Sequence, residues 1–318
     1  MPLPRRTLLA GAALAPFAIV RAHGETVLRA GDQRGNNRAV MEAAGVLADL
    51  PYRVAWSEFV AAAPLIEALN AGAIDAGVVG DAPFTFGFAS GVKMRAIAAR
   101  RSTQQGTAIV VRGDSPVRGF DDLKGRKIAT GRGSVGHFLV LAAVRRAGWP
   151  VNGVKLVFLQ PADAKAALAS GAIDAWSTWE PYTSQIEVID GGRQIVNGEG
   201  LTPGQGFQIA SLDAIGGKRG ELADFITRLT KARSWANGHV DQYAEIWAKL
   251  MGFPVEVPRH WFARTVESVV PTDARVIEGE QAVIDLYAGA GLLQTRFDAA
   301  SAFDPSFNDA IAKGAAKS

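Results

Sequence analysis

The pentapeptide Gly-Ala-Ile-Asp-Ala occurs twice, in LNAGAIDAGVVGDAPF at residues 69–84 and in LASGAIDAWSTWEPYT at residues 168–183. A single offset of 99 positions carries Ala68 onto Ala167, Asp75 onto Asp174 and Asp81 onto Glu180. A repeat held in one register over that distance calls for two copies of one supersecondary unit. Around each copy, apolar strands and helical patterns take turns. The first half reads as strand 26–30, helix 37–48, strand 52–58, helix 64–70 and strand 76–79. The second reads as strand 127–130, helix 135–147, strand 154–159, helix 162–169 and strand 175–178. This alternation predicts an α/β fold of two units, each centred on a mainly parallel sheet covered on both faces.

The repeated motif itself reads as scaffold. Gly72 and Gly171 suit left-handed helix caps, and Ile and Ala then begin a buried strand. Asp75 and Asp174 fall at these helix-to-strand junctions as turn or cap residues. Residues 108–112 and 206–211 read as paired extended crossings that enter and leave the second unit, and so as candidate hinges. Beyond Asp213 the chain turns largely helical, over 221–237, 243–250 and 282–288, and this segment is expected to complete the first unit. The expected domains are residues 23–109 with 210–318, and residues 110–209.

A chain of 318 residues suffices for two cores. Its start, MPLPRRTLLAGAALAPFAIVRAHG, joins Arg5 and Arg6 to an apolar run over 8–20 that is too short for a comfortable membrane span, then offers Val20-Arg21-Ala22 for cleavage. Residues 1–22 read as an export signal, and the adjacent arginines resemble a twin-arginine leader. Removing them takes three arginines and no acid, so the formal charge drops from +3 to zero. No basic run with interleaved aromatics remains to suggest nucleic acid. The chain has no cysteine, which excludes a thiolate nucleophile, a lipid-bearing cysteine and a cysteine-built metal site.

In open α/β sheets, ligands bind beyond the carboxyl ends of the strands, where the two halves diverge. Gly131-Arg132-Gly133-Ser134-Val135-Gly136-His137 follows a strand and opens a helix, as an anion cradle does. Ser134 fits an N-cap equally well, and His137 fits packing as well as ligand contact. Gly80-Asp81-Ala82-Pro83 offers Asp81 as a cap with Pro83 in the first turn. The loop 31–37 supplies Gln33 and Arg34 for anionic oxygens. Asp32 is awkward beside an anion: it must point away, pair with Arg34 or Arg38, or meet a cationic part of the ligand. Trp176 and Trp179 leave a strand toward the cleft, and period-two alternation sends them to opposite faces, so one can wall an apolar tail. The other tryptophans read as packing.

Enzymatic signatures are missing. The chain contains no Gly-x-Ser-x-Gly elbow, Walker loop or His-Glu-x-x-His, and its four histidines are scattered, with His23 near the mature terminus. No catalytic residue, cofactor or metal is expected.

The stretches EALNAGAIDAGVVGDAPF, DLKGRKIATGRGSVGHFLVLAAVRRAG and FLQPADAKAALASGAIDAWSTWEPY together resemble the aliphatic sulfonate-binding proteins of ABC importers, within the sulfonate, taurine and nitrate binding family. The resemblance covers residues 26 to about 210 strongly and the helical tail loosely. It implies a two-lobed periplasmic binding protein of type II, with a hinge of two crossing segments. Such a receptor captures a small organic sulfonate and delivers it to an inner-membrane permease, acting as a monomer.

In that family the anionic head lies between loops equivalent to residues 31–35, 80–83 and 133–137. The resemblance therefore implicates Gln33, Arg34, Gly80, Asp81 and Ala82 from one lobe, and Gly133, Ser134, Val135 and His137 from the other. Trp176, Trp179 and Glu180 match the W-x-x-W-D-P-Y stretch. Four departures stand out: Asp32 replaces the usual aromatic, Asn36-Asn37 replaces small residues, Glu180 replaces Asp, and Val60-Ala61-Ala62-Ala63 lacks a usual glycine. The extra acid points toward an amine-bearing sulfonate such as taurine. Another small anion, a nitrogenous compound, and an exported sensor that signals instead of importing remain as alternatives.

Overall fold

The computed structural model describes residues 26–316; the export segment read at residues 1–22, and His23, lie outside them. Eleven strands form two sheets among the described residues. The first half builds β1 (Val27–Gln33), α1 (Asn37–Ala43), β2 (Arg53–Phe59), α2 (Ala62–Asn70), β3 (Ala76–Gly80), α3 (Asp81–Ala89) and β4 (Met94–Ser102). The second builds β5 (Ala108–Val111), β6 (Lys127–Thr130), α4 (Val135–Arg146), β7 (Lys155–Phe158), α5 (Pro161–Ser170), β8 (Ala175–Thr178), α6 (Tyr182–Val188) and β9 (Arg193–Asn197). The chain then returns through β10 (Gln205–Ser211), α7 (Leu212–Gly217), α8 (Arg219–Gly238), α9 (Val240–Met251), α10 (Glu256–Arg264), β11 (Glu267–Val270), α11 (Ala274–Gly289) and α12 (Asn308–Ala315).

The first sheet runs β11-β4-β10-β3-β1-β2 and the second β7-β6-β8-β5-β9. In each, the three strands of the repeat are parallel, and the remaining strands join antiparallel. The repeat ends its helices identically. Gly72 and Gly171 take φ of +69° and +77°, and the residue after each donates to the carbonyl five positions back, Ala68 or Ala167. A side chain resists that left-handed turn, so glycine there stops the helix. Asp75 and Asp174 then work alike: each donates its N–H to the neighbouring strand, at Arg29 O or Lys127 O, and accepts that residue's N–H on its carboxylate at 2.8 or 2.9 Å. They clamp the amino ends of the strands, opposite the edge where α3 and α4 begin.

Three sequence expectations change. β1 continues to Gln33 because its pairing with β2 runs on to Phe59, so Gly31 and Asp32 are strand, not loop. The first helix stops at Ala43, short of residue 48, at the left-handed Gly45. The segments read as hinges are strands of separate sheets: β5 lies between β8 and β9, while β10 lies between β3 and β4. The crossings are residues 103–107 and 198–204, which meet through Gly198 N to Gln104 O at 3.2 Å and Gln105 Nε2 to Glu199 Oε1 at 2.8 Å.

The apolar core is not confined to each sheet. Phe138, Leu141 and Ala142 of α4 pack into the cluster that holds Phe84 of α3 and Val283 and Tyr287 of α11. One seam between the two units is therefore hydrophobic. α6 and α10 form a second seam, which is ionic.

Candidate functional site

α3 and α4 start at the carboxyl ends of β3 and β6, and their first turns abut. A Cβ on Gly80 would come 2.6 Å from Val135 Cγ1, and one on Gly133 would come 2.9 Å from Phe86 Cδ2. Tyr287 Oη donates to Ser134 O at 3.2 Å across the same contact. Two helix amino termini, each with partial positive charge, thus meet from different sheets.

At α4, Ser134 is the N-cap: its Oγ accepts from His137 N at 3.2 Å. The same hydroxyl lies 3.3 Å from Thr130 Oγ1, while the N–H groups of Val135 and Gly136 find no acceptor among the described residues. His137 is 2% exposed, and its Nδ1 accepts from Gly133 N at 3.2 Å, which leaves the ring proton on Nε2. That buried Nε2 has no partner. Burial, with Arg132 nearby, pushes the imidazole down to about 4, so near neutral pH it is a neutral donor. Arg132 is exposed, stacks 3.9 Å over Phe158 and makes no ion pair among the described residues.

At α3, Asp81 lies inside the first turn rather than at the cap, which is Gly80. Its side chain is 3% exposed and accepts from its neighbour Ala82 N at 2.7 Å. Burial lifts its carboxyl to about 7. Beside it on α11, Glu280 bonds Thr85 Oγ1 and leaves Oε2 buried without a partner; burial and the Asp81 charge push it well above the usual carboxylate range. Ala82 is fully buried and offers no side-chain surface.

The loop after β1 is a locked turn. Asn36 N donates to Gln33 O at 3.0 Å and Gly35 has φ of +81°, the pattern of a type II turn with glycine at its third position. Trp247 Nε1 donates to Gly35 O at 2.7 Å, and a Cβ there would meet the indole at 2.9 Å. Arg34 sits at the corner of this turn, exposed and without a hydrogen bond or ion pair among the described residues. Gln33 ties its amide to Val78 O at 3.1 Å.

Asp32 points away from the loop edge: its two oxygens accept Asn37 N at 3.0 Å and Arg38 N at 2.9 Å, capping α1. Burial still raises it to about 7. Two further expectations shift. Trp176 is 1% exposed and packs with Val110, Leu168 and Ile186, so its ring is core and not a cleft wall. Trp179 is half-buried and lies 3.8 Å from where a Cβ on Gly131 would stand, which puts it beside the α4 loop. Glu180 is engaged by the protein's own groups: its carboxylate accepts Arg264 Nε at 3.0 Å and Nη2 at 2.5 Å, and Ser184 N and Oγ at 3.0 Å.

Sequence reasoning missed Phe86, which follows the repeated stretch within α3, and Tyr287 and Arg264, which join the two units from helices outside the repeat. Nothing local marks them. A surface recess of about 520 Å³ lies elsewhere, beside the Arg112–Asp114 and Lys165–Asp190 ion pairs, which already neutralise its charge. No group able to hold a metal occurs among the described residues, nor a helix long and apolar enough to cross a membrane.

The profile of the NMT1-like family matches residues 36–252. An aliphatic sulfonates-binding protein of Escherichia coli K12 is 30% identical over 286 residues, 89% of this chain and 90% of that protein. The alkanesulfonate-binding protein SsuA of Xanthomonas axonopodis pv. citri, solved bound to MOPS, superposes with a TM-score of 0.83 at 31% identity, covering 88% of this chain and 99% of that one. A taurine-binding periplasmic protein of E. coli is 28% identical, over 42% of this chain and 41% of that protein. The chain belongs to the NMT1-like family and is a solute-binding protein, not an enzyme.

Proposed function

We propose that the chain is a periplasmic receptor that captures a small organic sulfonate between its two sheet units and hands it to an inner-membrane ABC permease. The observation that carries this reading is the meeting of the α3 and α4 amino termini, with the Val135 and Gly136 N–H groups and the neutral His137 Nε2 donor unpaired there. Helix termini and neutral donors stabilise an anion without demanding a counter-ion. Arg132 adds a cation and Trp179 an apolar wall for an organic tail. The named relatives support the same class, and MOPS is itself an alkanesulfonate with a morpholine tail.

The lobes in this reading are the two sheets with their helices, and their boundaries move from the expected 109/110 and 209/210, which would cut β5 and β10, to the 103–107 and 198–204 crossings, where they hinge. Ligand touching both lobes favours the closed arrangement because only that arrangement completes its hydrogen bonds. Residues 1–22 direct export, by the twin-arginine route, and the mature protein acts as a monomer. The acids that pointed toward taurine do not serve an ammonium: Asp32 caps α1 and Glu180 is held by Arg264.

A thermal-shift screen of mature, ligand-stripped protein against short alkanesulfonates, MOPS, taurine, sulfate, nitrate and thiamine-pyrimidine precursors tests this. Ligand at about 100 times its Kd adds roughly 2.7 kcal/mol of stability. Stabilisation by alkanesulfonates is expected; stabilisation by nitrate or a nitrogenous compound, with none from any sulfonate, overturns the reading.

A further inference from the structure

We infer that Arg100 is a further ligand-binding residue: from the first unit it supplies a guanidinium to the anion site at the Gly80 end of β3, across from the α4 turn. This rests on the sulfonate reading and names the cation that such an anion meets there.

Strand register puts Arg100 there. β10 lies between β3 and β4 and runs antiparallel to both, so Gly206 pairs with Gly80 on one side and with Arg100 on the other. Arg100 is therefore level with the N-cap of α3, at the carboxyl edge where the sulfonate reading puts the ligand. Residues opposite one another in a ladder project to one face of the sheet. A Cβ on Gly206 would stand 3.3 Å from Arg100 Nη2 and 3.6 Å from Nε. With glycine at that position, the guanidinium lies over β10 toward Gly80. Val135 of the α4 turn stands at the same glycine, 2.6 Å from where its Cβ would be.

Arg100 also has donors to spare. Its Nη1 donates to Glu267 Oε1 at 3.2 Å and lies 3.5 Å from Asn36 Oδ1, on the loop after β1. Nε and Nη2 meet no acceptor among the described residues, and the side chain is 25% exposed. Glu267 does not balance the charge, because it also pairs with the buried Arg233 at 2.8 Å. The acids on the adjoining elements are engaged elsewhere: Asp32 holds the Asn37 and Arg38 N–H groups, and Asp81 holds Ala82 N. Two guanidiniums on one carboxylate leave positive charge at the sheet edge. An oxyanion satisfies both that charge and the free N–H groups.

Calorimetric titration of the mature protein with ethanesulfonate and MOPS tests this, using Arg100→Gln, Arg100→Lys and Glu267→Gln, each checked for folding by thermal melt. Arg100→Gln should weaken both compounds by about tenfold or more, the loss of a charge-assisted hydrogen bond. Arg100→Lys keeps the charge and loses the fork, so its affinity should fall between that of Arg100→Gln and that of the unmodified protein. Glu267→Gln breaks the same ion pair but leaves the guanidinium, so it should lower the melting temperature while sulfonate binding is retained. Unchanged binding in Arg100→Gln, or an equal loss in Glu267→Gln, overturns the assignment and leaves sulfonate capture standing. If Arg100→Gln does not fold, Arg100→Lys decides, and undiminished binding of both compounds overturns the assignment. If no sulfonate binds the unmodified protein, the receptor reading falls, and the assignment with it.

Discussion

Asp81 and Glu180 occupy the same position in the two halves, one repeat length apart, and both are buried acids at the start of a helical segment. Their surroundings are opposite. Asp81 has no ion pair among the described residues; burial and the Asp81 charge raise Glu280, and burial lifts Asp81 itself to about 7. Burial also raises Glu180, but Arg264 reaches it with two N–H groups and continues to Glu187 at 2.6 Å, while His260 touches Glu187 at 3.1 Å. Arg264 comes from α10, outside the repeat. Two halves built alike thus acquire different electrostatics from what the C-terminal helices lay against them: an acid-bearing, apolar seam at α3, α4 and α11, and an ionic one at α6 and α10.

The largest expected effect comes from breaking the ionic seam. Arg264→Met strands Glu180 and Glu187, and losing one partner of a buried pair costs about 3–5 kcal/mol; urea unfolding measures it. The double variant Glu180→Gln with Arg264→Met should recover much of that loss, and no recovery would mean that Arg264 acts through packing alone.

Next comes the pH dependence of the other acid. Asp81 has a folded pKa of about 7 against 3.8. The folded state therefore holds a proton that the unfolded state releases, so its contribution is complete below about pH 4 and lost as pH rises to 7, at about 1.4 kcal/mol per pH unit while the group titrates. Asp32 has the same sign. Asp81→Asn should flatten, not abolish, the fall in stability between pH 5 and 7. Identical slopes in the two proteins would erase the contrast with Glu180.

A smaller effect sharpens the apolar seam. Gly80→Ala puts a methyl 2.6 Å from Val135 Cγ1, and such overpacking costs about 1–3 kcal/mol. Adding Val135→Ala should relieve it, and a melt of the single and double variants decides. Smallest is His260→Ala: its side chain is 43% exposed, and exposed pairs contribute about 1 kcal/mol or less. A larger loss would make His260 part of the buried cluster.

Legibility followed locality. Strands 127–130 and 175–178 and the glycine caps depend on residues a few positions apart, so spacing and residue type carried them; Asp75 and Asp174 read as turn or cap residues, and their hold on the neighbouring strand needs the sheet. For Asp32 the sequence left three roles open, because its partners, the N–H groups of Asn37 and Arg38, become donors only once α1 is formed. The crossings between the sheets lie just outside 108–112 and 206–211 because β5 and β10 are extended in either role; which sheet each enters depends on pairings such as β10 with both β3 and β4. Alternation said that Trp176 and Trp179 face apart, and packing against α5 and α6 chose Trp176 for the core.

The sequence by itself determined the two-unit α/β architecture, the family and the loops that open α3 and α4, because hydrophobic period, glycine placement and the repeat act over short stretches of chain. Only the tertiary structure decided which groups on those loops are free. A carboxylate, an indole or a guanidinium is available to a ligand according to what lies within a few ångströms of it, and for Glu180 that neighbour is Arg264, 84 positions away in the chain.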